Sequence, residues 1–272
     1  MKKTFALLST LVALCMTAQA AVYTWAPVNS STDWGTADNW QTDGGASTGI
    51  PLTNPNWGTV NISGNYTVVC GTSTSLEGWE STLNVSGGAN VTIQKFAKFQ
   101  KTTLNIGEDS VLSIGNSGGS LTVNVDTTMN WAIYGTLNLT SSINWNNSGN
   151  LNVDLGSSGI LNLTNQSNLG QFSFSASLGN LITEGTLFQL VTRELVTGLA
   201  SSVTTSNMTI TGGTQTTDIS SVALNADNVG TYQTFTQDGK VYVTYVNGVP
   251  EPATASLSLL GLAALMLRRR RS

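Results

Sequence analysis

The chain has 272 residues, of which 40% are hydrophobic and only 10% are charged, against roughly 25% charged residues in ordinary soluble domains. It contains no histidine, which excludes a Ser-His-Asp triad, a Cys-His pair and any histidine metal ligand. Its two cysteines are too few for a four-cysteine zinc site, while its apolar content is high enough to bury a core.

The first 20 residues have the pattern of a secretory signal peptide. Lys2 and Lys3 precede an apolar stretch, and Ala18-Gln19-Ala20 fits the small-x-small rule, which predicts cleavage between Ala20 and Ala21. The alternative is an N-terminal membrane anchor, but the apolar stretch is shorter than the roughly 20 residues that span a bilayer. Cleavage would leave Cys70 as the single thiol, and we expect it to be buried as a small apolar side chain.

Residues 21–75 are expected to form an N-terminal cap and the first strands. Their aromatic residues Trp25, Trp34 and Trp40 would supply a large buried area to such a cap. The same three side chains could instead form an exposed platform on which a sugar ring stacks.

Residues 76–180 alternate between aliphatic and small polar side chains, which is the pattern of half-buried strands. The leading leucines are spaced by steps that shrink from 21 to 10 residues, and glycine-rich turns separate the segments. We predict an all-β fold, a single-stranded parallel β-solenoid (right-handed β-helix-like), in which outward asparagines form ladders between coils. A β-sandwich is the alternative. The alternating segments are Leu83-Asn84-Val85, Leu104-Asn105-Ile106, Leu121–Val125, Leu137-Asn138-Leu139, Leu151–Leu155 and Leu161-Asn162-Leu163.

Residues 181–249 are expected to close the solenoid with C-terminal strands and a hairpin cap. Thr186–Val191 indicates a strand, and Arg193–Leu199 indicates one short helical turn. Thr231–Gln237 and Lys240–Val246 flank Asp238-Gly239, a dipeptide typical of a tight β-hairpin turn.

The body, residues 21–249, carries five basic and fourteen acidic residues, a net charge of −9, which argues against binding to nucleic acid. Three groups of charged residues are candidates for a binding or catalytic site, and we expect ordinary surface structure in each case. We therefore predict no catalytic residues, no cofactor and no metal. The candidates are a basic patch (Lys95, Lys98, Lys101), a cation site in a turn (Glu108, Asp109) and a carboxylate pair (Asp126, Asp154).

The C-terminal segment, 250–272, has three parts in order. Pro250-Glu251-Pro252 is followed by the largely apolar run 253–267, and Arg268, Arg269, Arg270 and Arg271 follow as a cluster that would remain on the cytoplasmic side of a membrane. This segment resembles the PEP-CTERM sorting signal of Gram-negative bacteria, and the start of the body resembles secreted β-helix proteins of the autotransporter-associated kind. The resemblance implies an exosortase as a partner, which would process the chain near Pro250–Pro252, with 253–267 as a short transmembrane helix before that step.

The expected function is that of an exported, non-enzymatic structural or adhesive protein of the cell surface or extracellular matrix. One alternative is a surface protein that binds an extracellular polysaccharide through tryptophan or tyrosine. A second is a polysaccharide-degrading β-helix enzyme.

Overall fold

The computed structural model describes residues 20–46, 49–51, 58–71, 75–94, 96–115, 121–124, 129–140, 143–146, 150–166, 172–179, 182–183, 185, 187–199 and 208–249. The first strands along the chain are β1 (Val22–Trp25), β2 (Trp40–Thr42), β3 (Gly45–Ala46), β4 (Thr59–Ser63), β5 (Thr67–Cys70), β6 (Ser75–Trp79), β7 (Thr82–Ser86) and β8 (Asn90–Ile93). They are followed by β9 (Phe96–Gln100), β10 (Thr103–Ile106), β11 (Val111–Ile114), β12 (Leu121–Asn124), β13 (Met129–Ile133), β14 (Thr136–Leu139), β15 (Ile143–Asn146) and β16 (Leu151–Asp154). The last are β17 (Ile160–Gln166), β18 (Phe172–Ser177), β19 (Leu187–Leu199), β20 (Met208–Thr211), β21 (Thr214–Gln215), β22 (Thr231–Gln237) and β23 (Lys240–Val249). Three single 3₁₀ turns lie at Ala37–Asn39, Ile219–Ser221 and Ala226–Asn228.

The strands form three sheets that run along one axis. In spatial order, sheet A is β20-β18-β16-β13-β10-β7-β4-β1-β2-β3, sheet B is β21-β22-β23-β19-β17-β14-β11-β8-β5, and sheet C is β15-β12-β9-β6. From β4 to β15 the chain visits sheets A, B and C in turn, and each strand pairs in parallel with the equivalent strand of the next coil. This arrangement confirms the predicted parallel β-solenoid and shows that the β-sandwich alternative is wrong.

The core is a stack of aliphatic side chains that point inward from the sheets. Val60, Leu83 and Leu104 occupy equivalent positions in three successive coils of sheet A, and each is fully buried. Because the side chains of a strand alternate between its two faces, the residues directly before and after each of these positions point outward. The predicted segments therefore have the expected orientation wherever their side chains are described. Strand β12 confirms Leu121–Asn124 as a strand, while Val125 lies outside the described residues.

The outward asparagines form side-chain ladders, as predicted. Asn84 donates from Nδ2 to Asn61 Oδ1 (2.8 Å) and accepts from Asn105 Nδ2 (2.7 Å). A second ladder on sheet B joins Asn162 Nδ2 to Asn138 Oδ1 at 2.7 Å. Each amide is both donor and acceptor, so one residue can satisfy its neighbours above and below in a parallel, in-register stack.

The N-terminal end of the stack is closed by antiparallel pairing. Strand β1 continues sheet A beside β4, β2 then folds back antiparallel to β1, and β3 in turn pairs antiparallel with β2. Sheet B is covered by the backbone around Asp33, since Val69 N–H donates to Thr32 O (2.8 Å) and Trp34 N–H donates to Val69 O (3.0 Å). A solenoid whose terminal strands are covered in this way exposes fewer unpaired backbone groups.

The C-terminal end is built around the long strand β19. It pairs in parallel with β17 and antiparallel with β23, which forms the predicted hairpin with β22. Asp238 (φ 49°) and Gly239 (φ 72°) both adopt positive φ at the hairpin turn, as a two-residue turn of this type requires. The helical turn expected for Arg193–Leu199 is wrong, because these residues are the second half of β19 and pair with strands on both sides.

The predicted divisions after residues 75 and 180 do not coincide with changes in the sheets. Strand β6 begins at Ser75 and continues to Trp79 in sheet C. Parallel stacking also continues beyond residue 180, since β19 follows β17 in sheet B and β20 follows β18 in sheet A.

Candidate functional site

The structure describes only one of the two predicted processing regions. Ala20 is exposed, and the carbonyl oxygen of Ala21 accepts a hydrogen bond from Thr59 N–H at 2.9 Å, immediately before β1 begins at Val22. The sorting residues Pro250, Glu251 and Pro252, the apolar run 253–267 and Arg268–Arg271 lie outside the described residues. Within the described ranges, the structure contains no helix long and apolar enough to cross a membrane.

The three cap tryptophans are buried against one another. Trp40 contacts Trp25 and Trp34 edge to face, with ring centroids 4.9 Å apart in both pairs, and none of the three is more than 3% exposed. Trp34 Nε1 donates to Pro51 O (3.2 Å), and Trp40 Nε1 donates to Trp34 O (2.9 Å). Because their faces are covered and two of the indole N–H groups are bonded to backbone, these rings act in the cap and offer no stacking surface to a sugar.

The basic patch anticipated around Lys95, Lys98 and Lys101 is divided by the fold. Lys101 Nζ lies 2.9 Å from Glu80 Oε1, which occupies the equivalent corner of the preceding coil. Lys98 is half-buried on an outward position of β9, next to the buried Phe99, while Lys95 lies outside the described residues. One of the two described lysines is therefore already paired with a carboxylate.

Cys70 is fully buried at the end of β5, as predicted. Burial, with a smaller contribution from the negative charge of Asp33, raises the pKa of its thiol to about 12. A thiol that stays protonated at neutral pH is a poor nucleophile and a poor metal ligand. Among the described residues, no group of three or more cysteine, aspartate or glutamate side chains is arranged to hold a metal ion.

A groove of about 390 Å³ opens on the edge where sheet A turns into sheet B. Its floor is formed by residues 134–136, one wall by residues 108–111, and the other wall by Ser158. Glu108 and Asp109, which we expected in a polar turn, lie exposed in that first wall. Asp126, the proposed partner of Asp154, lies outside the described residues.

The groove results from unequal turn lengths in three stacked coils. Only Tyr134 and Gly135 connect β13 to β14, whereas four residues connect β10 to β11 and five connect β16 to β17. The short turn is therefore recessed between two longer ones. Gly135 is required in the recess, because a Cβ atom there would overlap the carbonyl oxygens of Gly107 and Ser110.

Tyr134 is the exposed aromatic residue of the groove, with 39% of its surface accessible. Its hydroxyl donates to Asp154 Oδ2 at 3.1 Å, and a Cβ atom on Gly156 would lie only 2.6 Å from ring atom Cδ1, so the ring rests directly on that glycine. The charge of Asp154 is the largest cause of a raised pKa of the tyrosine, followed by burial and by their hydrogen bond. The phenol is therefore held neutral and in one orientation.

The long turn above the groove is held by Arg193. Its Nη2 donates to Gly159 O (2.6 Å) and Leu155 O (3.4 Å), and its Nη1 donates to Gly156 O (3.1 Å). Burial is the main cause that lowers the pKa of the guanidinium, while the nearby Tyr245 raises it. Strand β19 therefore places Arg193 against three carbonyl groups of the neighbouring coil.

Sequence reasoning did not identify Tyr134 or the role of Arg193. Both depend on which turns become neighbours in the stack, and the sequence signal for Tyr134 is only the shortness of its turn. No protein-family model, no curated protein and no solved structure matches the chain.

Proposed function

We propose that the chain is an exported, non-enzymatic protein of the cell surface or extracellular matrix, in which a rigid β-solenoid has a structural or adhesive role. The observation that carries this proposal is the position of the strands relative to the two sequence signals. Every strand in the described part of the chain lies between Val22 and Val249. Cleavage after Ala20 and processing near Pro250 would therefore remove both ends and leave all three sheets intact.

The regular stack supports a structural role. From β4 to β15 each coil forms parallel backbone ladders with its neighbours, and asparagine side chains add a second set of bonds along the axis. A bend would have to break several of these bonds together, so the body should behave as a stiff rod.

The outward face of sheet A supports an adhesive role. Thr59, Thr82 and Thr103 align in three successive coils, beside the ladder of Asn61, Asn84 and Asn105. Hydroxyl and amide groups in such an array can exchange hydrogen bonds with hydrated polymers, and they do so without the charge repulsion that an acidic face would add.

The tail provides the proposed route to the surface. The apolar run 253–267 and Arg268–Arg271 would hold the chain in the inner membrane after export. Pro250 and Pro252 disfavour helix at the junction, which would leave this segment extended and accessible to an exosortase. Processing there would release the body or attach it to the surface.

Replacement of Glu251 tests the proposal in a host that has the sorting enzyme. We expect Glu251→Ala to accumulate as a longer, unprocessed form in the inner-membrane fraction, because the recognised Pro-Glu-Pro sequence is lost. Asp227→Ala is the matched control, since it removes one exposed carboxylate from the body and should mature normally. Normal size and surface location of the Glu251→Ala chain would contradict the proposal.

A second candidate function, binding of a carbohydrate, is favoured by the groove at Tyr134.

A further inference from the structure

We propose that the groove between residues 108–111 and Ser158 binds a protonated amino-sugar unit of a polysaccharide, with the sugar ring stacked on Tyr134. The proposal depends on three features of the groove: its shape, its fixed aromatic ring and its excess of hydrogen-bond acceptors. It rests on the proposed function in one respect, which is that the protein would meet such a polymer at the cell surface or in the extracellular matrix.

The shape and the aromatic ring suit a pyranose. The recess at Tyr134 and Gly135 is open to solvent and is bounded by the two longer turns, and its volume of about 390 Å³ is within the range of small-ligand sites. Gly156 supports the ring of Tyr134 and Asp154 holds its hydroxyl, so the aromatic surface does not have to be ordered when a ligand binds. A preorganised flat ring favours a rigid partner with an apolar C–H face, which a pyranose has.

The polar groups of the groove call for a ligand that donates hydrogen bonds. Glu108 and Asp109 are exposed carboxylates, which only accept when ionised. The hydroxyl of Ser158 donates its proton to Tyr134 O (2.7 Å), so its remaining capacity is to accept. The hydroxyl of Ser110 accepts from Gly88 N–H (3.2 Å) and lies 3.4 Å from Glu108 O as a donor.

The electrostatics call for a cation. Two carboxylates line one wall, and the body as a whole carries a net charge of −9. Arg193, which binds the carbonyl groups of the upper turn, is not among the residues that line the groove. A sugar that carries an ammonium group satisfies the carboxylates, whereas a uronic acid or a sugar phosphate would be repelled.

A lysine-rich peptide would offer the same charge but fits the groove less well. Its flexible side chains lose rotamer freedom on binding and have no ring face to place on Tyr134. An amino-sugar polymer combines the ammonium group, several hydroxyl donors and a rigid ring in each unit. We therefore favour the polysaccharide and treat the peptide as an outcome of the test.

The test is calorimetric titration of the full-length chain in detergent micelles. The probes are a fully deacetylated β-1,4-glucosamine hexamer, its N-acetylated counterpart and an oligolysine of equal charge, all in mildly acidic buffer. We expect the deacetylated hexamer to bind tightest. Tyr134→Ala should weaken its binding by about tenfold or more, and Tyr134→Phe, which keeps the ring, should retain most of it. The double variant Glu108→Gln/Asp109→Asn should remove the preference for the deacetylated hexamer.

Tyr66→Ala is the matched control. Tyr66 is 40% exposed and its ring also packs on a glycine, Gly64, but it does not line the groove. Binding by Tyr66→Ala should equal that of the wild type. If Tyr134→Ala lowers the thermal midpoint, the carboxylate variant decides the question, because Glu108 and Asp109 are exposed and Asn tolerates the positive φ of Asp109.

The proposal would be overturned if the deacetylated hexamer bound no tighter than the acetylated one, if oligolysine bound as well, if no probe bound, or if Tyr66→Ala lost as much affinity as Tyr134→Ala. Each of these results leaves export and processing unaffected, so failure of this inference is distinct from failure of the proposed function.

Discussion

Substitutions of two adjacent residues in β10 test the assignment of inward and outward faces. Leu104 is fully buried between Leu83 and Trp131 of the neighbouring coils, whereas Asn105 points outward and bonds to Asn84. Leu104→Ala removes a core side chain between two packed neighbours and should lower the free energy of unfolding by about 2–5 kcal/mol. Asn105→Ala removes one hydrogen bond at a half-buried position and should cost about 1 kcal/mol.

Urea unfolding followed by circular dichroism would measure both changes, and the ladder supplies an internal control. Asn84 bonds to both Asn61 and Asn105. At about 1 kcal/mol for each bond, Asn84→Ala should therefore lower the free energy of unfolding about twice as much as Asn105→Ala. The reasoning would be refuted if Asn105→Ala were as harmful as Leu104→Ala. It would also be refuted if Leu104→Ala cost less than the ladder variants.

Arg193→Met keeps an unbranched side chain but leaves the carbonyl groups of Leu155, Gly156 and Gly159 without their charged donor. We therefore expect the free energy of unfolding, measured in urea, to fall by about 2 kcal/mol. An unchanged urea midpoint would show that the Arg193 contacts contribute nothing. The Cys70 thiol, with a pKa of about 12, should resist alkylation at pH near 8 until the chain is unfolded. Because the pKa of Cys70 is higher in the folded state than its usual value of 9.0, the free energy of unfolding should also fall as the pH rises from about 9 towards 12, and less steeply in Cys70→Ala. Rapid alkylation of the native chain would contradict the burial of Cys70.

The alternation of single residues predicted the strands and the direction of their side chains, while the preference for a solenoid over a β-sandwich depended also on the glycine-rich turns between the recurring short segments. In Leu83-Asn84-Val85 the aliphatic residues are buried and Asn84 belongs to a ladder, because strand geometry turns each successive side chain to the opposite face. The hairpin at Asp238-Gly239 was equally predictable, since its positive φ angles follow from a local preference of that dipeptide.

The shrinking spacing of the leucine segments did not give the length of one coil of the solenoid reliably. Leu83 and Leu104 lie in neighbouring strands of sheet A, but each later segment belongs to a different sheet from the one before it, so the later steps mix strand, turn and coil lengths. The true coil length appears in the ladder pairs, such as Asn84 and Asn105, 21 residues apart, and Asn138 and Asn162, 24 residues apart.

Neither strand β19 nor the groove could be predicted from the local sequence. The segment Arg193–Leu199 has residues compatible with a helical turn, and only its pairing with β17 and with β23, about 50 residues later, makes it a strand. The groove likewise exists only because the short turn at Tyr134 lies between two longer turns in space, and these turns are separated by more than 20 residues in sequence.

The central claim is that a complete solenoid remains after both ends of the chain are removed. Mass spectrometry of the protein isolated from the surface fraction of its native host tests this most directly. We expect a mature chain that begins at Ala21 and ends at or near Pro250–Pro252, without the apolar run or Arg268–Arg271. A surface-located chain that retains the arginine cluster, or one that begins at Met1, would contradict it.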